Sequence, residues 1–265
     1  MKLKDLLKKT EILSIVGDKD IEIQGIAYDS RRVQKGFVFV AIPGTVIDGA
    51  KYIPSAISNG AVAVCHEGRS LSLNNVTEII VPSARKFLAD ISCAFYDEPS
   101  KKLKVVGITG TNGKTTTAYL INSIFGEVFP KTGLISTIET KIGGKSVLST
   151  LTTPESLELQ KLFYEMLNEG VSFVAMEVSS HSIAQKRIRG IAFDCAVFTN
   201  LTHDHLDYHL TMENYFNTKL KLFSSLGFSG KSDVFAVVNT DDDYGEAIIE
   251  ETNADVITYS LNKKT

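Results

Sequence analysis

The sequence predicts an α/β fold in two parts: a small amino-terminal domain over residues 1–98 and a larger domain over 99–265 built on a doubly wound, mainly parallel sheet. Three observations predict it. From residue 104 onward, short apolar runs alternate with segments of helical periodicity. Those runs are nearly continuous in their apolar character, as strands covered on both faces require. Between the parts, DEPSKKLK at residues 97–104 sets a proline and three lysines among otherwise apolar surroundings, which marks a linker. The chain of 265 residues, 43% hydrophobic, is long enough for two packed cores.

In the first part, the leucine spacing of KLKDLLKKT predicts a helix, residues 21–27, 36–41 and 61–64 predict strands, and 84–96 a closing helix. Asp29, Ser30 and Arg31 precede one strand and PGTVIDG follows it. Short polar residues at strand ends beside a glycine turn can present donors to a phosphate or a sugar. They serve equally as turn residues that bond their own backbone. In the second part, strands are predicted at 104–109, 133–138, 173–178, 195–199, 234–239 and 256–259. Helices are predicted from 114, over 154–168 and 212–226, and from 242. No internal repeat or low-complexity tract interrupts them.

The net charge of −3 gives no reason to expect nucleic acid or an anionic membrane as the main partner. Cys65, Cys93 and Cys195 are odd in number and set among apolar neighbours, which predicts buried thiols in a reducing compartment. MKLKDLLKKTEIL lacks the apolar core of a signal peptide, and no apolar run approaches the roughly 18 residues of a membrane span. A soluble, cytoplasmic protein is the expectation.

The most informative stretch is VVGITGTNGKTTTA, residues 105–118. An apolar run breaks into a glycine-rich turn and Lys114, Thr115 and Thr116 follow where a helix begins, which is how a chain builds a phosphate cradle. The usual P-loop places glycine five residues before the Gly-Lys pair's glycine. Here Ile108 occupies that place and Gly107 lies one position too early. In such a cradle, backbone N–H groups from Gly110 through Thr111, Asn112 and Gly113 to Thr115 hold oxygens. Lys114 neutralises the β and γ phosphates, and the Thr115 hydroxyl is offered to Mg²⁺. The competing reading is a glycine turn into a helix with an exposed lysine.

Ligands of doubly wound sheets bind at the carboxyl ends of the strands. There the sequence puts Glu177, Ser179, Ser180 and His181, then Thr199, Asn200 and HDHLDYH (203–209), then Asn239 and the aspartates after it. Glu177, approached through apolar residues, is expected to need a cation as partner, shared with Thr115; otherwise it is an acid at a helix start. HDHLDYH resembles the His-any-His-any-Asp-His of metallo-β-lactamase-type zinc hydrolases, but Tyr208 stands where the last histidine belongs. A second Mg²⁺ held by His205 fits the phosphate loop better. Ser179, Ser180 and His181 lack the Gly-x-Ser-x-Gly context of a nucleophile and read as substrate-binding hydroxyls. Gln185 and Arg187 follow, with an anion-binding role and a solvated helix face equally open.

Together, TGTNGKTTT, TTPES, MEVSSHSIAQKRI, FTNLTHDHLDYHLTMENYFNTKLKLF and NTDDD, in this order and spacing, resemble the Mur ligases of peptidoglycan synthesis. With YDSRRV near the amino terminus they resemble the MurE branch. The resemblance covers essentially the whole chain, and the form of its loop accounts for the early Gly107. It implies an ATP-dependent, ADP-forming ligase that adds a diamino acid to UDP-MurNAc-L-Ala-D-Glu through an acyl phosphate, working as a monomer in the cytoplasm. It implies UDP contacts from Ser30 and the turn at Thr45 to Ile47 in the first domain. Thr152, Thr153, Ser179, Gln185 and Arg187 are implied along the muramoyl-peptide path, and Gly110–Thr116 with Asn239 around ATP. Lys114, Glu177, His205 and Lys219 are the implied catalytic set. Thr115, Glu177, His205 and Lys219 are the implied ligands of Mg²⁺, Lys219 as a CO₂-derived carbamate.

Two departures stand out. Thr45, Val46 and Ile47 occupy a turn where family members often carry His or Gln. The family's third domain, which binds the incoming amino acid, is expected to lie outside these residues, so the chain itself is expected to turn over poorly. MurF, MurC and folylpolyglutamate synthase share the loop and the carbamate lysine and stay open as alternatives. So does a non-catalytic nucleotide- or UDP-sugar-binding fragment.

Overall fold

The structure is a computed structural model that describes residues 1–44 and 48–262. Its two units are Met1–Asp97 and the residues from Glu98 onward.

The first unit runs α1 (Leu3–Leu6), β1 (Ser14–Val16), β2 (Gly25–Ala27), β3 (Phe37–Val40), α2 (Ile53–Ser58), β4 (Ala61–His66), β5 (Thr77–Ile80) and α3 (Ala84–Phe95). Its five-stranded sheet has the order β1-β5-β4-β3-β2, with only the β1 edge antiparallel. The strand predicted over 21–27 shrinks to three residues. Leu3 N donates to Ile21 O at 3.0 Å and Ile23 N to Met1 O at 2.8 Å, so the first half of that segment spends its hydrogen bonds on the amino terminus instead of a sheet neighbour. Asp29 caps a 3₁₀ turn at Ser30–Arg32 by accepting from Arg31 N at 3.0 Å, and it binds the Arg31 guanidinium at 2.7 Å. This is the turn chemistry anticipated for an Asp-Ser pair.

The predicted linker is largely absorbed into the second unit. Asp97 and Glu98 take left-handed backbone conformations, Pro99–Lys102 form a 3₁₀ turn, and the buried Ser100 accepts from Ala192 N at 3.0 Å through its hydroxyl. The chain then runs β6 (Lys104–Thr109), α4 (Lys114–Gly126), β7 (Thr132–Ile135), β8 (Glu139–Ile142), β9 (Lys145–Leu148) and α5 (Ser156–Asn168). There follow β10 (Phe173–Glu177), α6 (Ser180–Ala184), β11 (Cys195–Phe198), α7 (Leu206–His209), α8 (Met212–Ser224), β12 (Phe235–Asn239), α9 (Tyr244–Glu251) and β13 (Asp255–Tyr259).

The eight strands lie in the order β13-β12-β11-β6-β10-β7-β8-β9. They are parallel from β13 to β7, and β8 and β9 extend one edge as an antiparallel hairpin. That hairpin was not predicted: its strands are half-buried or exposed, so they lack the apolar runs that mark the others. Val105 packs on one face with Val174, Met176 and Phe198, whereas Val106 and Ile108 pack on the other with Ala118, Leu134 and Ala175. Burial on both faces is why these strands read as continuous apolar runs.

Register brings the site to one edge. Glu177 pairs with Ile108 and Phe198 with Thr109, so the ends of β6, β10 and β11 come out level. Gly107 lies within β6, and a Cβ there would come within 2.7 Å of the Phe193 ring. The early glycine is therefore a packing requirement of the sheet, and the loop proper starts at Gly110.

Candidate active site

The loop between β6 and α4 is shaped by glycine at both ends. Gly110 has φ +150°, and a Cβ at this position would collide with the Thr199 hydroxyl. Gly113, at φ +84°, precedes α4 with no side-chain cap, which leaves the helix's first N–H groups facing the cleft that the loop borders. The β11–α7 connection holds the loop from outside. Thr199 Oγ1 donates to Asn112 O at 2.7 Å, and Asn200 Oδ1 accepts from Asn112 N at 3.0 Å. Thr111 N donates to Asn200 O at 2.8 Å, and its hydroxyl accepts from Thr202 N at 2.9 Å.

Lys114 curls over this loop and donates to Gly110 O at 2.9 Å and Thr111 O at 2.7 Å. Burial lowers its pKa below the ordinary lysine value, against the opposing pull of Glu177 and Asp204. Lys219, on α8, is 1% exposed rather than on a helix surface. Its ammonium donates to Gly110 O at 2.8 Å and lies 4.6 Å from the centroid of the Tyr215 ring. Burial, followed by repulsion from Lys114, brings its pKa down to about 7.

Glu177 closes β10 and is 1% exposed. Its carboxylate is not bare: Thr137 donates to it through N–H at 2.7 Å and through its hydroxyl at 3.2 Å. The expectation that only a cation would satisfy Glu177 is thus corrected in part, since the turn after β7 supplies two donors. Thr153 Oγ1 donates to Glu177 O at 2.9 Å and accepts from Ser179 N at 3.2 Å. Ser179 caps α6 by accepting from Ser182 N. Arg187 donates to Thr153 O at 3.0 Å and to Gln185 Oε1 at 2.6 Å, and pairs with Glu155 at 2.9 Å. The two residues left open between anion binding and a solvated face are thus bonded to each other.

One cleft of about 550 Å³ gathers Thr111, Asn112, Gly113, Lys114, Thr115, Thr152, Thr153, Glu177, Ser179, Arg187, His205 and Lys219. Gly110 supports it from behind through its carbonyl. Thr116, Gln185 and Asn239 do not line it. Asn239 uses its amide on Thr199 O at 2.8 Å and on Asp241 N at 3.0 Å. Ser30 belongs to the first unit, where its carbonyl accepts from Asn59 at 2.8 Å; Thr45 lies outside the described residues.

His205 takes a left-handed conformation (φ +52°), sits 3.5 Å from Asp204, and lies edge-on to the His181 ring. Burial first, then His205 and Arg187, lowers the His181 pKa. His209, buried, bonds Ser180 Oγ at 2.9 Å through Nε2, with its pKa lowered by burial and then by His181. Among the described residues no group of three or more His, Cys, Asp or Glu side chains is placed to hold a metal ion.

Sequence reasoning missed Thr137, Tyr215 and the Ser180–His209 bond. Tyr215 was findable: it stands four residues before Lys219, one turn away on the same helix face. Thr137 was hidden inside a strand predicted to run to 138, whereas β7 ends at Ile135.

Residues 108–265 match the Mur ligase middle domain, and residues 22–96 match the family described as "Mur ligase family, catalytic domain". Among curated proteins, the chain is 45% identical over 99% of its length to the UDP-N-acetylmuramoyl-L-alanyl-D-glutamate--2,6-diaminopimelate ligase of Clostridium tetani. It is also 45% identical over 98% of its length to the ligase of the same name from Caldanaerobacter subterraneus subsp. tengcongensis. It covers 53% of each, so the chain spans about half the length of the curated relatives it matches. A solved structure of a ligase with that name superposes over the whole chain with a TM-score of 0.83 at 29% identity, again over 53% of that protein. The MurF ligase of Thermotoga maritima, solved in complex with ADP, shares the fold, with a TM-score of 0.61 at 22% identity over 93% of this chain and 52% of its own. The middle-domain match alone spans more than half of the residues, and the chain belongs to the Mur ligase family.

Proposed function

We propose that these residues form the nucleotide- and muramoyl-peptide-binding part of an ATP-dependent, ADP-forming ligase that joins a diamino acid to UDP-MurNAc-L-Ala-D-Glu in peptidoglycan precursor synthesis. The observation that carries the reading is the convergence of the phosphate loop, Glu177, Arg187 and Lys219 on a single cleft. The diamino acid is 2,6-diaminopimelate in this reading, because the relatives are so named. The setting in this reading is the cytoplasm. No helix among the described residues is long and apolar enough to cross a membrane.

In this reading the α4 N–H groups and Lys114 receive the β and γ phosphates. Lys114 is already bonded to two loop carbonyls and turns toward the incoming anion. Arg187, Thr152, Thr153 and Ser179 orient the dipeptide so that its terminal carboxylate lies in line with the γ-phosphate. Attack gives an acyl phosphate and ADP. The amine then displaces phosphate through a tetrahedral intermediate. Buried cations beside the transferring phosphoryl group stabilise its charge most in a site that excludes water.

The oxygen donors of Thr115 and Glu177 suit Mg²⁺, a hard cation. His205 would complete a second position, and Mg²⁺ bound there would offset phosphate charge. Unmodified Lys219, as ammonium or as neutral amine, offers no oxygen to Mg²⁺ and does not fit its site. It fits once CO₂ has added to its amine, and burial supports this by favouring the neutral amine that attacks CO₂. On this assignment Lys114, Glu177, His205 and Lys219 are the catalytic residues, Gly110 through Thr116 hold ATP with Asn239 toward the adenine, and Ser30 and Thr45 serve the UDP part.

Calorimetry with MgADP, UDP-MurNAc-L-Ala-D-Glu and tetrahydrofolate on this chain tests the reading. Binding of the first two and not the third is expected, with ligase turnover far below that of a full-length relative. Binding of tetrahydrofolate, or no binding of MgADP, would sink it. A carbamate resonance on Lys219 in ¹³C-bicarbonate is expected independently of activity, and its absence in the lysine-intact chain removes the carbamate.

A further inference from the structure

Tyr215 is fully buried at the base of the cleft, on the face of α8 that also carries Lys219. Its hydroxyl lies 3.3 Å from Thr111 Oγ1. Thr111 Oγ1 accepts from Thr202 N at 2.9 Å and has Thr202 O at 3.3 Å as an acceptor for its own proton. The tyrosine hydroxyl is a third polar neighbour of Thr111 Oγ1, and either hydroxyl can be the donor between them. The ring is wedged between the Lys219 ammonium, 4.6 Å from its centroid, and the His209 ring at 5.0 Å.

We infer that Tyr215 is a positioning residue for the nucleotide loop: its hydroxyl, held in place by the packing of its ring against Lys219 and His209, sets Thr111 and through it the backbone that receives the phosphates. The inference rests on the nucleotide reading for its consequence and on loop geometry for its substance. Thr111 is anchored on one side by the β11–α7 connection and on the other by α8. Loss of the second anchor leaves the loop hinged on the first.

The test uses Tyr215→Phe, which keeps the ring and removes only the hydroxyl, with Thr111→Val and the double variant. Three measurements are made: melting temperature, amide hydrogen exchange of residues 110–114, and MgADP affinity by calorimetry. Exchange in the loop is expected to rise about three-fold or more in Tyr215→Phe while the β10 amides stay as in the wild type. MgADP affinity is expected to fall about 3- to 10-fold, the size of one lost hydrogen bond. The double variant is expected to bind no more weakly than Thr111→Val alone, since both substitutions break the same bond. A lower melting temperature with unchanged loop exchange makes Tyr215 a core residue only and overturns the inference, as does full additivity of the two substitutions. Should the wild type bind no MgADP, the nucleotide reading fails, and loop exchange alone then decides the role of Tyr215.

Discussion

Lys114 and Lys219, on different helices, donate to the same carbonyl oxygen, that of Gly110, at 2.9 and 2.8 Å. Two ammonium groups on one acceptor repel each other, and the more buried of them is the one whose charge is most easily given up. The loop thus divides its two lysines by burial: Lys114 at the cleft for an anion, Lys219 behind it as a near-neutral amine.

The first prediction concerns that amine. Below pH 7 Lys219 is protonated whether the chain is folded or not, and its burial penalty is felt in full. Between about pH 7 and the ordinary lysine value of 10.5, the unfolded chain holds a proton that the folded chain has released. Stability therefore rises with pH across this window, by an amount on the order of 5 kcal/mol for a shift of this size. In CO₂-free buffer, denaturant titrations of the wild type at pH 6.5, 8 and 9.5 should show the rise, and Lys219→Met should lack it. Equal pH slopes in the two proteins would refute the assignment.

Replacing Lys114 by Ala removes a charge-assisted contact to phosphate without touching the core. MgADP affinity should fall roughly 10- to 100-fold, with the melting temperature close to the wild-type value. An unchanged affinity would leave Lys114 as a lysine that merely closes its own loop.

Gly110→Ala should be more severe than its size suggests. The new methyl collides with the Thr199 hydroxyl and sits at a backbone angle that L-residues rarely adopt. A stability loss of about 2–4 kcal/mol with loss of nucleotide binding is expected, read by denaturant titration and calorimetry. A variant as stable as the wild type would show that the loop and the β11–α7 connection part easily.

Glu177→Gln keeps an oxygen for the Thr137 N–H, removes the negative charge, and leaves the Thr137 hydroxyl to reverse its bond and accept from the new amide. Stability should change by less than about 1.5 kcal/mol. The gain in ADP affinity on adding Mg²⁺ should shrink to within about two-fold, because a neutral amide is a poor ligand for a hard cation. A persistent Mg²⁺ effect would place the cation elsewhere.

The parallel part of the large sheet was legible because strands buried on both faces are apolar at every position, as Val105 and Val106 show by packing on opposite sides. The β8–β9 hairpin was not, since Lys145–Leu148 is exposed throughout and its pairing is written in no periodicity. The loop and Glu177 were placed at one edge by strand-end reasoning alone, whereas Arg187 stayed open between that edge and a solvated helix face. Lys219 was legible only through resemblance: nothing local distinguishes NTKLKLF from a solvated helix, because its burial is imposed by β6 and the loop, about 110 residues earlier in the chain. Thr137 escaped for a related reason, as its partner Glu177 is 40 positions away.

The clamp of Thr199 and Asn200 on Asn112 bears on how the protein is made. The glycine-rich sequence leaves the ribosome long before the residues that mould it, so the phosphate cradle cannot mature as a local turn. It has to wait until β11 has joined the sheet, which places nucleotide competence late in synthesis and ties it to long-range closure. Transplanting residues 105–118 into another scaffold would carry the letters of the loop and leave its shape behind.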